Sequence, residues 1–410
     1  MALPVFIPAA VYGIGQGAAT PVYALRALEL GASAGVAGLV VALAGLGLVL
    51  GDLPAGRVVG RLGERWSVGL GSALGAIGVA LCLCANSLAM LGIGLLLTGL
   101  ANAVWGLARQ TYVVAAVAPV DRGKALSAMA GSMRFGFFAG PFLGAWAVHL
   151  LGLAGGLWVQ LVATLVAGAL MISLQDPTET ETSPSPSRSL TAVVVENRRL
   201  LTTLGSGALA MGAARASRNA LVPLWAAHSG LDATTTSLIF GVSGAVDVLM
   251  SYPAGICMDR FGRRAVAVPS MMLFGLGYVV LPFTHGAVAI GAAAILLGLA
   301  NGLSNGVIMT LGADAAPPHQ RAEFLGAWRL THDIGMFAGP IAIGVISGVA
   351  ALAVSALVIG GVSGLGAAAL ARWIGAGQTG AAVNGRFAAL SGVNDSVHSE
   401  NAAEADRAKT

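Results

Sequence analysis

Charge is what this chain has least of. Of its 410 residues, 10% are Asp, Glu, Lys or Arg, against 56% that are hydrophobic. An ordinary soluble domain carries about a quarter charged residues, so this chain lacks the polar groups to cover a water-facing surface. The mean hydropathy of +0.82 agrees. That shortage excludes a cytosolic enzyme and a nucleic-acid binder, and the net charge of +4 suggests no polyanionic partner. Cysteine is scarce too. Cys82, Cys84 and Cys257 sit in apolar runs with neither a disulfide framework nor zinc spacing, so they read as packing residues. The six histidines are scattered. No nucleophile elbow and no Gly-x-x-x-x-Gly-Lys-Ser/Thr phosphate loop occurs, which argues against a hydrolase and an ATP-driven pump. No enzyme activity, cofactor or metal is expected. No basic segment precedes the first apolar run, so no cleaved secretory signal is expected either.

Long apolar runs are what the chain has instead. A membrane-spanning helix needs about 20 mostly apolar residues. Such runs lie near 3–25, 33–58, 67–86, 88–117, 124–149 and 153–174, then near 201–227, 233–257, 265–284, 287–315, 322–348 and 350–374. They are too long and too rich in Leu, Ala and Gly for barrel strands. The expected fold is an all-α polytopic membrane protein of about twelve transmembrane helices in two six-helix bundles. Its expected parts are 1–174, a polar linker at 175–199 containing Pro177, Pro184 and Pro186, a second bundle at 200–374, and a disordered tail at 375–410. Lys and Arg fall on one set of loops: Arg57, Arg61, Arg65, Arg122, Lys124, Arg188, Arg198, Arg199, Arg260, Arg263, Arg264, Arg321, and the tail's Arg386, Arg407 and Lys409. The opposite loops offer Arg26. The positive-inside rule then puts the linker and both termini in the cytoplasm of a cell-membrane protein.

The halves repeat each other. Pro54-Ala55-Gly56 recurs as Pro253-Ala254-Gly255, Gly99-Leu100-Ala101-Asn102 as Gly298-Leu299-Ala300-Asn301, and Ala139-Gly140-Pro141 as Ala338-Gly339-Pro340. Each pair lies 199 residues apart. The stretch from Gly255 through Asp259, Arg260 and Gly262 to Arg263 and Arg264 resembles the loop motif of the major facilitator superfamily. Gly56 to Arg65 is a degraded copy, with Gly60 where the motif has Asp. The resemblance runs from about residue 3 to 374. It implies secondary transport of a small molecule by a monomer in the lipid bilayer. Arg263 or Arg264 is expected to latch onto Asp314. The stretch Gly136-x-x-x-Gly140-Pro141-x-x-Gly144 resembles the antiporter motif of drug/proton exporters, although Ser127 and Ala145 stand where the fuller motif has Gly. The eleventh span repeats it in part at Gly326, Gly335 and Gly339-Pro340. Small residues four apart also serve plain helix packing.

Ionisable residues inside apolar spans are the functional signal. Arg109, Arg134, Arg215, Arg218, Asp247, Arg329 and Asp333 lie deep, and Asp52 lies nearer one end. Each costs about 2.5–3.5 kcal/mol at a lipid-facing helix centre, so the eight together cost on the order of 20–28 kcal/mol and must face one another or water. The resemblance places the first, fourth, seventh and tenth spans around a cavity. On those spans Tyr12, Gln16, Asn102, Trp105, Arg109, Arg215, Arg218, Asn219, Asn301 and Asn305 are the expected substrate-cavity residues, with Trp225 as a further aromatic. The family arrangement also packs the fifth span on the eighth and the second on the eleventh. Residue counting then pairs Arg134 with Asp247 and Asp52 with Arg329, while Arg329 and Asp333 are also spaced to pair within one helix. Asp247, then Asp333, with Asp52 and His332, are the candidate proton-coupling groups. Five arginines against three aspartates disfavour a cationic substrate. The leading expectation is proton-coupled export of an amphipathic neutral or anionic molecule. The alternative is proton-symport import of a small organic anion.

Overall fold

The computed structural model describes residues 3–117, 122–173, 190–317 and 321–374. The expected tail (375–410) and most of the expected linker, with its three prolines, lie outside the described residues. So do Arg188 and the side chains of Arg122, Lys124 and Arg321. Among the described residues the structure is helical throughout: α1 (Leu3–Glu29), α2 (Ala34–Leu83), α3 (Leu88–Ala116), α4 (Arg122–Leu151), α5 (Ala154–Ile172), α6 (Leu190–Glu196), α7 (Arg198–His228), α8 (Ala233–Phe261), α9 (Arg264–Val280), α10 (Gly286–Ser304), α11 (Val307–Ala315), α12 (Arg321–Val349) and α13 (Leu352–Trp373).

Helix α2 contains two crossings. Its backbone breaks at Gly63, whose φ of 73° only glycine adopts freely. Helices α10 and α11 together make one crossing. Six crossings therefore precede α6 and six follow it. Ten segments are long and apolar enough to span a membrane by composition alone. Helices α4 and α7 complete the set, and they carry Arg134 (α4) and Arg215 and Arg218 (α7).

Two sequence expectations change. The linker is not polar coil throughout, because α6 forms within it. Val193 of α6 is fully buried, and the helix packs on α12. Burying that apolar face holds a seven-residue helix that would not persist alone. The tenth crossing is not continuous either. Gly306 takes φ +83° and ends α10.

The outer surface of the bundle is apolar. Trp146, Leu249, Phe283 and Val288 are all more than half exposed, as lipid-facing side chains are. Arg26 lies at the end of α1 away from the linker. It pairs with Glu29 and donates to the Ala85 carbonyl at 2.9 Å.

The internal repeat is a repeat of contacts. A Cβ on Gly136 would overlap the Ala10 carbonyl, and one on Gly335 the Leu209 carbonyl. Gly140 meets Ile14 as Gly339 meets Ala213, and Gly13 meets Met133 as Gly212 meets His332. Every one of these partners is 199 residues from its counterpart. So α4 lies on α1 as α12 lies on α7, backbone to backbone. The residues that resemble an antiporter motif are thus used within each half. Leucine at Gly136 or Gly335 therefore collides with backbone, which no rotamer change relieves. The expected result is a loss of about 3 kcal/mol or more, read as a lower unfolding temperature of the purified protein. Leucine at Gly131 or Gly326, where nothing lies within 4 Å, should leave that temperature nearly unchanged.

The halves approach closely at the end away from the linker. A Cβ on Gly35 of α2 would sit 2.8 Å from the Gly344 oxygen of α12, and one on Gly241 of α8 would sit 3.2 Å from the Phe142 ring of α4. At the linker end Gly56, Gly60, Gly131, Gly255 and Gly326 have no such neighbours. The two halves pack closely at one end, and toward the linker the Arg329 side chain of α12 reaches Asp52 of α2 across the seam.

Candidate functional site

A cavity of about 320 Å³ lies between the halves. Arg109 of α3, Arg134 of α4, Arg215, Arg218 and Asn219 of α7, Asp247 of α8, and Asn301 and Asn305 from the α10 end of the tenth crossing supply its polar lining. Met133, Phe137, Phe240 and Met336 supply its apolar walls. A second cavity of about 190 Å³ lies beyond it, lined by Gln16, Thr20, Tyr23, Thr98, Asn102 and Pro340 among others. Phe137, Asn219 and Met336 border both and form the partition between them.

Two expected cavity residues are instead core. Tyr12 and Trp105 are 3% and 1% exposed. Their rings stack at 4.0 Å, the Trp105 indole donates to Ser72 Oγ at 3.1 Å, and the Tyr12 hydroxyl bonds Asn102. Trp105 does share a helix face with Arg109, but the indole finds its acceptor inside the N-terminal bundle. Only the Arg109 guanidinium, 5.1 Å above the indole ring, reaches the cavity. Trp225 is likewise buried, donating to the Thr284 carbonyl at 3.3 Å. The aromatics that do line the cavity are Phe137 and Phe240. They follow the charges by helical spacing, three residues after Arg134 and seven before Asp247, and that was the sequence signal available for them.

Asp247 and Arg134 line one cavity without pairing. No ion pair within 4 Å joins them among the described residues. Asp247 is held by its own half instead. Asn301 Nδ2 donates to Oδ2 at 2.5 Å, and Asn305 Nδ2 donates to Oδ1 at 2.7 Å. Asn305 Nδ2 also donates to Ser251 Oγ at 2.8 Å, and its Oδ1 accepts from Arg215 Nη2 at 2.7 Å. The left-handed turn at Gly306 sets Asn305 at the end of α10, where its amide reaches both neighbours. Arg218 donates to Ser243 Oγ at 2.9 Å and lies 4.8 Å from the Phe240 ring. Among the described residues Arg134 has neither a hydrogen bond nor an ion pair within 4 Å.

A second charge cluster ties the halves together near the linker end. Arg329 Nη2 of α12 lies 3.6 Å from Asp52 Oδ1 of α2, and Arg329 Nε lies 3.5 Å from Asp333 Oδ2. His332 Nδ1 lies 2.9 Å from Asp333 Oδ1. The intrahelical pair and the pair between halves therefore coexist. His332 Nε2 and Asp52 Oδ2 are buried without partners.

Of the two alternative partners for Asp314 in the loop motif, the structure brings Arg263 to it. Arg263 Nε donates to Asp314 Oδ2 at 2.8 Å, and both side chains are 15% exposed. Gly262, at φ +86°, ends α8 and turns the chain toward Arg263, while Gly255 is open to its surroundings. Arg264 makes no ion pair with Asp314, and Asp259 makes none at all among the described residues. Arg260 lies over the Phe261 ring at 5.4 Å. In the first half the positions equivalent to Arg263 and Asp314 are Glu64 and Ala115, so this link has no counterpart there.

Comparison with known proteins returns one family. The Major Facilitator Superfamily model matches residues 5–214 and again 204–393. The uncharacterized MFS-type transporter YfkF of Bacillus subtilis (strain 168) is 23% identical over 342 residues, covering 82% of this chain and 85% of the relative. A class C tetracycline resistance protein of Escherichia coli is 26% identical over 123 residues, covering 30% of this chain and 31% of the relative. Among solved structures, a point mutant of the nucleoside transporter NupG shares the fold. Its TM-score is 0.75 at 17% identity, over 90% of this chain and 98% of that one.

Proposed function

The chain belongs to the Major Facilitator Superfamily and is a multi-pass membrane transporter, not an enzyme, and from that premise we propose that it carries a small organic anion together with a proton. The observation that supports this reading is the cavity's charge: four arginines against one aspartate. Asp247 is the proposed proton site. As a carboxylate it accepts from both asparagine amides and offsets one arginine. Once protonated it carries no charge, and one oxygen becomes a donor. The Asn305 amide then faces a donor with its own NH₂ group, and turning over to accept that proton presents NH₂ to Arg215. Arginine has no acceptor atom, so Arg215 is released. A proton on Asp247 thus raises the cavity's positive charge and frees a guanidinium, and both effects favour an anion. Proton and anion bind together, which is the condition for symport.

Proton-antiport export of an amphipathic neutral molecule is the second reading. The stretch of similarity to a tetracycline resistance protein favours it, while the glycine motif no longer does, since its glycines pack α4 on α1. In either case the distribution of Lys and Arg supports a cell-membrane protein with the linker and both termini on the cytoplasmic side. The close approach of the halves at Gly35 and Gly344 is then on the outer side, and the Arg329–Asp52 contact is toward the cytoplasm. A monomer contains the whole cavity.

The test uses inside-out vesicles holding a pH-sensitive dye. Aromatic sulfonates, which stay ionised and do not leak across as neutral acids, are added with neutral and cationic analogues. Symport predicts lumen acidification on adding an anion. Lumen alkalinisation on adding a neutral compound would establish antiport instead. A correctly inserted protein that moves no protons with any compound would overturn proton coupling.

A further inference from the structure

Resting on the reading of the cavity as the substrate site, we infer that the substrate is a small ring-bearing monocarboxylic acid, carried as its anion. Its carboxylate would sit among Arg134, Arg215 and Arg218, and its ring against Phe137 and Phe240. Three observations converge. First, the arginines are satisfied by neutral groups or by none. Arg215 has an asparagine oxygen, Arg218 has a serine hydroxyl, and Arg134 has no bond among the described residues. Arg218 is 5% exposed, yet its Nε has no partner. A buried guanidinium with an open donor edge is an incomplete half of a bidentate carboxylate contact.

Second, Asp247 does not complete it. Both of its oxygens are taken by amides, and it forms no ion pair within 4 Å with any described residue. Arg215 feels the Asp247 charge first, and then both Arg134 and Arg218 as like charges. An anion placed among them relieves that repulsion, and its affinity for the site follows from what the site lacks. Third, the walls and size select the rest of the molecule. Phe240 already carries a guanidinium on its face, and Phe137 borders the second cavity. A ring held between them makes apolar contact on the side away from the charge. A volume of about 320 Å³ is at the small end of ligand cavities, which suits one or two rings rather than a lipid or a peptide.

The test is equilibrium binding to the purified full-length protein, with no membrane and no gradient. The probes are 1-naphthoate, its uncharged isostere 1-naphthamide, 1-naphthylmethylammonium, and acetate as an anion without a ring. The inference predicts that naphthoate binds at least tenfold more tightly than each of the others. In the double variant Arg134→Gln, Arg218→Gln the preference over naphthamide should fall below threefold. The ligand-free variant should unfold within a few degrees of wild type, because the hydrogen bond to Ser243 and the Phe240 contact that Arg218 loses are offset by removal of two buried charges that have no ion pair among the described residues. Naphthamide binding as well as naphthoate would overturn the inference. So would acetate matching naphthoate, or a preference unchanged in the double variant. Absence of anion binding with naphthoate, benzoate and cyclohexanecarboxylate alike would also overturn it. Because no proton movement is measured, failure of proton coupling leaves this result intact, and failure of anion binding is seen separately.

Discussion

Replacing Arg329 with glutamine should lower the ratio of linker-open to linker-closed conformer on the order of tenfold. Arg329 is the cation that α12 sets between Asp52 of α2 and Asp333 of its own helix, at 3.6 and 3.5 Å. Without it the two carboxylates are left near each other, with Asp52 Oδ2 already lacking a partner. Breaking a fully buried pair costs about 3–5 kcal/mol. Arg329 is 43% exposed, and water screens it, so about 1–2 kcal/mol is the reasonable share. Every 1.4 kcal/mol is about tenfold in a conformational equilibrium. The readout is thiol labelling of Gly56→Cys in a protein whose Cys82, Cys84 and Cys257 have been replaced, since Gly56 is exposed with nothing within 4 Å and lies one turn from Asp52 on α2. The open-to-closed ratio read from the labelling rate should fall about tenfold with Arg329→Gln, by the same equilibrium. It should recover in the exchange Asp52→Arg, Arg329→Asp, where the new arginine faces both carboxylates. Unchanged labelling in Arg329→Gln would show that the pair holds nothing.

Asp247 substitutions should have the larger effect on transport. Asp247→Arg adds a fifth guanidinium to a cavity that already holds four. It also presents donors to the Asn301 and Asn305 amides, which now donate to the carboxylate. Neither conflict is relieved by rotation of one side chain. The expected result is turnover below about 1% of wild type, equivalent to more than about 2.7 kcal/mol, with membrane insertion retained. Asp247→Asn is gentler and more informative. It removes the titrating group but keeps the shape, and one of its two polar atoms still accepts an amide. Anion binding should survive in it, while its dependence on pH through this site should disappear.

The fold was legible because the sequence states it twice. Gly136 and Gly335, Gly140 and Gly339, and Gly99 and Gly298 are places where two backbones touch, and such contacts tolerate no side chain. The site was legible for the opposite reason, because most of its charges break the repeat, Arg134 opposite Asp333 being the position charged in both halves. Asp247 stands opposite Leu48, Asp52 opposite Ser251, Arg329 opposite Ala130, and Arg215 opposite Gln16. A charge placed in one bundle only is there for the cavity or for the seam between bundles.

What was not legible depended on local geometry. Counting residues along ideal helices set Arg134 level with Asp247. The tenth crossing, however, breaks at Gly306 and delivers Asn305 to that carboxylate first. Counting also set Trp105 on the cavity face beside Arg109, but a long side chain leaves its helix face for a partner, and Ser72 provided one. Phe137, Phe240 and Met336 were invisible as apolar residues in apolar helices. Only their position beside charges distinguishes them.

The central claim is that a proton on Asp247 and an anion among the arginines travel together. The most direct test records luminal pH in vesicles of wild type and Asp247→Asn side by side, after adding naphthalene-1-sulfonate. The account predicts acidification in the wild type and none in the variant, although the variant still binds the sulfonate. Equal acidification in both, or alkalinisation in the wild type, would contradict it.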